Sequence, residues 1–256
     1  MNDTLNIIEN RVSLRKYDKR DIDDDTLNQI LHSAMRAPTA GNMMMYSVIV
    51  IRDQKTKEIL SRTCDNQPFI ATAPVLLLFI ADMEKWHRYF HMSKVKEFEE
   101  KRNGEYSSPS MPDLMLSISD ALIAAQTAVI AAESLGIGSC YIGDILENYE
   151  THRELLDLPK YAFPISLLTL GYYEEEYKRN RRDRFDEKFV VFNEKYRKIS
   201  DEEIKEMFNE KEKLFKENNS YGAENFGQMF YARKNGSEFF EEMKRSIREM
   251  LKNWKY

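Results

Sequence analysis

Residues 113–136 read DLMLSISDALIAAQTAVIAAESLG. Apolar side chains recur nearly all the way round when this stretch is wound at 3.6 residues per turn, which predicts a helix over residues 114–135 with Gly136 as its C-cap. Such a helix leaves no broad face for water. It must be buried, either in a large core or in a subunit interface. A chain of 256 residues is long enough to build that core.

The segments around this helix supply a sheet. Ser47–Arg52 (SVIVIR) is short and rich in β-branched residues, and Pro74–Ala81 (PVLLLFIA) is apolar on both faces. The second pattern suits the middle of a sheet covered by helices on each side. Gly138–Ile142 and Pro164–Leu170 are further strand candidates. Residues 4–11 predict a short helix. Asp23–Arg36 predicts a longer one, with Leu27, Ile30, Leu31 and Ala34 at helical spacing, acids at its N-terminal end, and Pro38 to stop it. The expected fold is α+β, a central mixed sheet flanked by helices.

After about Tyr173 the composition shifts. EEEYKRNRRDR predicts a charged loop, FVVFN (189–193) a short strand, 200–217 a charged amphipathic helix, and 236–254 a last helix with Phe239, Phe240, Met243, Ile247, Met250 and Leu251 on one side. The expected division is a domain over 1–195 and a helical extension over 196–256, which has too little core of its own and packs on the main domain or on a partner subunit.

Composition narrows the function classes. A net charge of −5 gives no general attraction to nucleic acid, so an anion site has to come from a local arginine cluster. Cys64 and Cys140 lie far apart with no metal-type spacing, which fits a reducing cytoplasm better than a disulfide framework. The N-terminus lacks a secretory pattern, and the apolar run Ala73–Ala81 is far shorter than the roughly 20 residues that span a bilayer. A cytoplasmic protein without membrane or nucleic-acid partners is expected. His87 and His91 are spaced for one helix face, but with no third ligand they read as surface residues rather than a metal site.

Four clusters could carry chemistry, each with a plainer reading beside it. Arg11-Val12-Ser13-Leu14-Arg15 puts two guanidiniums and a hydroxyl within five residues, enough to converge on a phosphate. Taken alone it reads first as a pair of surface arginines at a helix end. Ala37–Asn42 (APTAGN) is a small-residue turn that lets backbone approach a ligand, or an ordinary helix-to-strand loop. Gly136–Asp144 (GIGSCYIGD) contains G-x-G, but it follows a helix and precedes a strand, the wrong order for a dinucleotide-binding turn. Lys178–Arg184 is basic but flanked by acids, so a solvated loop with one or two arginines on an anion is the simpler reading. No nucleophile motif or acid pair stands out, which points to chemistry carried by a cofactor.

The order of these clusters resembles the nitroreductase and flavin reductase family. RVSLRKYD followed by APTAGN is similar to that family's R-x-S-x-R-x-[YF] and A-P-[ST]-x-x-N patterns. NQPFIATAPVLLLFIADMEKW, SISDALIAAQTAVIAAESLGIGSCYIGDI, LPKYAFPISLLTLGYY and RDRF resemble its later blocks. The likeness covers roughly 5–195, and the tail is similar to the longer NADPH-flavin-oxidoreductase branch only in length and helical character. The resemblance implies an FMN-dependent oxidoreductase, a homodimer in which both subunits contribute to the flavin site. NADPH or NADH would donate hydride, and a small-molecule electron acceptor (nitroaromatic, quinone or flavin) would follow in a ping-pong order. The chemistry would be carried by FMN, with no catalytic side chain of the protein's own. It implies that Arg11, Val12, Ser13 and Arg15 hold the phosphate and ribityl end, that Thr39, Gly41 and Asn42 lie along the flavin, and that Gln67 bonds a polar edge of the ring. Ile142, Gly143, Asp144 and Ile145 would lie near the reactive nitrogen, and Arg182 and Arg184 would face the phosphate. A flavin-binding sensor or storage protein without nicotinamide turnover is the alternative.

Departures from the family pattern fall at three places. Met43-Met44-Met45 stands where many members carry Gln followed by Pro-Trp, and Asp183 replaces the usual Pro between the two late basic residues. The tail segment 218–237 lacks closely spaced arginines for a 2′-phosphate, leaving NADPH and NADH both open.

Overall fold

A computed structural model describes residues 2–254. The first helices are α1 (Asp3–Asn10) and α2 (Asp24–Met35), followed by strand β1 (Tyr46–Ile51), α3 (Gln54–Thr63), α4 (Phe69–Thr72) and β2 (Val75–Asp82). Then come α5 (Glu84–Met92), α6 (Val95–Lys101), α7 (Met111–Ser134), β3 (Ile137–Ile142), α8 (Tyr149–Leu155) and β4 (Ala162–Tyr172). The chain ends with α9 (Asp201–Lys213), α10 (Phe226–Arg233) and α11 (Glu238–Leu251).

The strands form one sheet in the order β1-β2-β4-β3. Every pairing among them is antiparallel. The expected mixed character is confined to a single parallel bridge, Ser13 with Ser139. β2 is buried along its whole length, as its two-sided apolar pattern requires. Its alternate residues divide the core: Val75, Leu77 and Phe79 pack with α2 and α7, while Leu76, Leu78 and Ile80 pack with Leu60, Ile70, Ile142 and Ile145 on the other face. β4 carries Pro164 beside a register shift opposite Phe79/Ile80, a place where a missing N–H is tolerated.

α7 is capped by Ser110 and Asp113, whose side chains satisfy its first turn. By length and composition its 24 residues could cross a bilayer, which the sequence reading had not expected. Ala121, Ala124, Ala125, Ala128 and Ala132 are instead packed against α2 and the sheet, and their small side chains let the helix sit close. It is the core helix of this fold.

The chain forms two compact units. One holds the chain up to Arg179 and again from Glu242; the other holds Asn180–Glu241. The stretch read from the sequence as one helical extension is therefore divided, since Met250 and Trp254 join Met45, Ala81, Leu114, Tyr161 and Phe163 in the first unit's core. In the second unit Phe185, Phe208, Phe226 and Phe230 form a chain of ring contacts, edge-on, tilted and stacked in turn, and Lys188 pairs with Glu206. FVVFN is not a strand: Glu187–Phe189 is a 3-10 turn begun by Asp186, whose carboxylate takes the Lys188 N–H. Val190 and Val191 are then left exposed. Apolar character alone makes no strand where no neighbouring edge is available for pairing.

Candidate functional site

The edge formed by β3 organises most of the expected residues. α1 ends at Arg11, and the extended segment after it lies along β3: the Leu14 N–H donates to the Ser139 carbonyl at 2.9 Å. Leu14 is fully buried against Gly138, where a Cβ would stand 2.6 Å from Leu14 Cδ2. Only glycine lets the segment come this close. Val12 is buried in the core, whereas Arg11, Ser13 and Arg15 are not, and all three act on the Cys140 thiol. Burial pushes the Cys140 thiol pKa up, and the two guanidiniums and the Ser13 hydroxyl oppose that shift. Arg15 also lies over the Phe69 ring at 5.7 Å. Among the described residues neither Arg11 nor Arg15 has a carboxylate partner.

Tyr17 fastens the same segment to the sheet. Its hydroxyl donates to Thr169 Oγ1 at 2.8 Å, and Thr169 donates in turn to the Cys140 carbonyl at 3.3 Å. The ring covers Gly171, whose absent side chain leaves it room.

β3 ends at Ile142, and Gly143–Leu146 form a 3-10 turn. Ile142 and Ile145 are buried and anchor the turn, so their contribution to a ligand is backbone. A Cβ added at Gly143 would meet nothing within 4 Å, leaving exposed backbone beside open space. Gln67 reaches this turn from the loop between α3 and α4: its Nε2 donates to Asp144 Oδ2 at 2.7 Å and to the Cys64 carbonyl at 3.0 Å. Behind them His152 is fully buried, its Nδ1 at 3.0 Å from the Ile145 carbonyl and its Nε2 at 2.8 Å from Thr63 Oγ1. Burial lowers its pKa. Glu147 closes the turn as a buried carboxyl with Oε1 unpartnered. Burial, then the charges of Asp144, Asp65 and Glu242, push its pKa up to about 8.

Thr39, Gly41 and Asn42 sit elsewhere. They lead into β1, whose first residue Tyr46 pairs with Ala81, while the Arg11–Arg15 segment and Gly143 border β3. These are opposite edges of the sheet, three strand spacings or roughly 14 Å apart. Within one chain the structure does not bring these two halves together. Gly41, Asn42 and Met44 all have positive φ, with Met43 in the right-handed region between the last two. Its shape is held by Asp120, a nearly fully buried carboxylate on α7 that accepts the backbone N–H of Ala40 at 2.9 Å and of Met45 at 3.2 Å. Asp120 was not singled out in the sequence. Its signal is being the one charged residue between Leu114 and Ala132.

The late basic run also divides. Arg179 belongs to the first unit, where it bonds the Asn10 carbonyl at 3.1 Å, pairs with the buried Glu133 and stacks on Tyr173 at 4.2 Å. Arg182 and Arg184 are exposed residues of the second unit, on a stretch without helix or strand. Their part in an anion site remains an expectation of the sequence.

Two guanidiniums without carboxylate partners among the described residues, an open glycine backbone and an anchored glutamine thus border β3 and the turn that follows it. The sequence profile of the nitroreductase family matches residues 8–172. The chain belongs to the nitroreductase family. This family member is 34% identical over 173 residues to an FMN reductase (NAD(P)H) of Bacillus subtilis, an alignment covering 67% of this chain and 66% of that protein. It is 30% identical over 191 residues to a NADPH-dependent oxidoreductase of Staphylococcus saprophyticus, covering 75% of this chain and 73% of that one. A solved Bacteroides fragilis structure described as an oxidoreductase superposes with a TM-score of 0.82 at 32% identity, over 96% of this nitroreductase-family chain and 97% of its own.

Proposed function

We propose that this nitroreductase-family chain is an FMN-dependent NAD(P)H oxidoreductase of the cytoplasm. In this reading the donor and a small-molecule acceptor (nitroaromatic, quinone or flavin) use one slot in ping-pong order. The observation that carries the reading is the pair Arg11 and Arg15, which have no carboxylate partner among the described residues and flank Ser13 along β3, the strand that leads to the open backbone at Gly143. Relatives named FMN reductase and NADPH-dependent oxidoreductase support it.

The residues fit the cofactor's three chemical parts. Arg11, Ser13 and Arg15 supply charge-assisted hydrogen bonds suited to a phosphate. Gly143 gives a flat ring access to backbone, and Gln67 offers a polar group to the ring's edge. When bound, FMN supplies two-electron chemistry, accepting hydride from NAD(P)H and yielding the reducing equivalents to the acceptor. The protein binds, orients and excludes water, and its guanidiniums favour negative charge nearby.

Thr39, Gly41 and Asn42 enter this reading through a second copy of the chain. α7 exposes Met115, Leu116, Leu122 and Ile123, and α1 adds Leu5 and Ile8. A homodimer that covers this apolar surface would carry the partner's β1-edge loop to the β3-edge site.

The test is direct. Purified protein should be yellow and release FMN on denaturation, and anaerobic NADPH or NADH should bleach it within the mixing time of a turnover. Colourless protein that cannot be reconstituted with FMN overturns the cofactor. Yellow protein bleached by neither nucleotide is a flavin binder without nicotinamide turnover.

A further inference from the structure

Gln67 has two polar ends, and the structure commits them differently. Its Nε2 is taken by two acceptors, the Asp144 carboxylate at 2.7 Å and the Cys64 carbonyl at 3.0 Å. Turning the amide over would set Oε1 against both of these oxygens, which can donate nothing. The orientation is therefore fixed by chemistry. Oε1 meanwhile has no partner among the described residues and is not buried. The glutamine therefore keeps an unengaged acceptor on an amide tied to Asp144, the residue that follows the open backbone of Gly143.

We propose that Asp144 is a positioning residue that locks the Gln67 amide with its oxygen facing the ligand, so that this edge of the site binds an N–H donor, the imide N–H of a flavin ring. The inference rests on the FMN reading above. It gives the Asp144 side chain a role separate from its backbone, and it assigns Gln67 an accepting role only. The Cys64 carbonyl alone would bind one amide hydrogen and leave the group able to swing. The second anchor, a charge-assisted bond at 2.7 Å, removes that freedom. The lock is braced from both sides: Asn148 Nδ2 donates to the Thr63 carbonyl at 2.8 Å, and His152 spans Thr63 and Ile145.

The experiment uses holoenzyme reconstituted with FMN labelled with nitrogen-15 in the ring, and follows the imide N–H by NMR. In the wild type this proton should be observed and should exchange with water at least about tenfold more slowly than in free FMN, as an internal hydrogen bond requires. Asp144→Asn keeps an acceptor oxygen for Gln67 and should retain the protection. Asp144→Ala should lose it, with FMN still bound. Should the alanine variant not fold, Asp144→Ser serves in its place, since its hydroxyl is too short to reach the amide. A wild-type imide proton that exchanges as in free FMN overturns the proposal. So does full protection in the alanine or serine variant. Failure of the wild type to take up FMN at all is a different outcome, and it removes the flavin reading together with this inference.

Discussion

The carboxylate of Asp120 holds the backbone N–H of Met45 at 3.2 Å, with its other oxygen 2.9 Å from the N–H of Ala40. One side chain in the middle of the core helix thus closes the left-handed loop that leads into β1. Asp120→Ala would strand two donors away from water and is expected to cost about 2–4 kcal/mol, the scale of two unsatisfied or charge-assisted bonds. Asp120→Asn should retain part of this, since its amide nitrogen cannot accept from one of the donors. Thermal melts of the variants, with proteolysis at residues 39–45 as a local probe, check this. A melting temperature unchanged in the alanine variant would show that the loop is held by other means.

That loop also shows where the sequence is informative and where it stops. α7 and β2 were legible because a buried element declares itself by apolar residues on every face. The Arg11–Arg15 segment and the Gly143 turn stand out by motif order, and both border β3. The distance between APTAGN and Arg11 was not legible, since it depends on β1 and β3 lying at opposite edges, and strand order leaves no trace in local periodicity. α3 escaped notice because QKTKEILSRT is mostly polar, with Leu60 as its one fully buried large side chain. The basic run 178–184 looked uniform, yet Arg179 is set apart by Glu133, a partner forty-six positions away in the chain.

Glu147 makes stability depend on pH. Its pKa is raised from an ordinary value of 4.5 to about 8, so the folded chain holds a proton that the unfolded chain releases. The stabilisation this gives is complete below pH 4.5 and is lost as the pH rises through 8. Glu147→Gln cannot ionise. It should match the wild type near pH 4.5 and be more stable at pH 8 by about 1–2 kcal/mol, discounted from the full linkage for solvent screening. Urea titrations at both pH values test this, and identical pH profiles for the two proteins would contradict it.

Gly138 tests the seating of the Arg11–Arg15 segment. An added Cβ would stand 2.6 Å from Leu14 Cδ2 and 2.7 Å from Tyr173 Cζ. Gly138→Ala should therefore push Leu14 outward, destabilise the protein by about 1–3 kcal/mol and displace Ser13 with it. FMN retention on gel filtration should fall in parallel with melting temperature.

Arg15 separates binding from folding. It is exposed, its guanidinium lies over Phe69 at 5.7 Å and no carboxylate among the described residues pairs with it, so Arg15→Ala should leave the melting temperature of the cofactor-free protein within a degree or two. FMN affinity should fall by about 1.5–3 kcal/mol, the scale of a hydrogen bond to a charged group. Fluorescence titration of FMN into the stripped protein measures this. An unchanged affinity would move the phosphate away from Arg15.

The exposed face of α7 makes the same separation for assembly. Leu122 and Ile123 are each 42% exposed in the single chain, while Ala121 and Ala124 beside them are fully buried. A charge at Leu122 therefore leaves the core of the subunit untouched and opposes whatever covers the outer face. Leu122→Glu should shift the protein from dimer to monomer in sedimentation equilibrium, because an unpaired carboxylate would be buried at an apolar interface. If the partner's Thr39–Asn42 loop completes the flavin site, the monomer should also lose FMN, although its own Arg11, Ser13 and Arg15 are intact. A monomer that keeps FMN at wild-type affinity would show that one sheet edge suffices. A dimer that survives the substitution would place the interface on another surface.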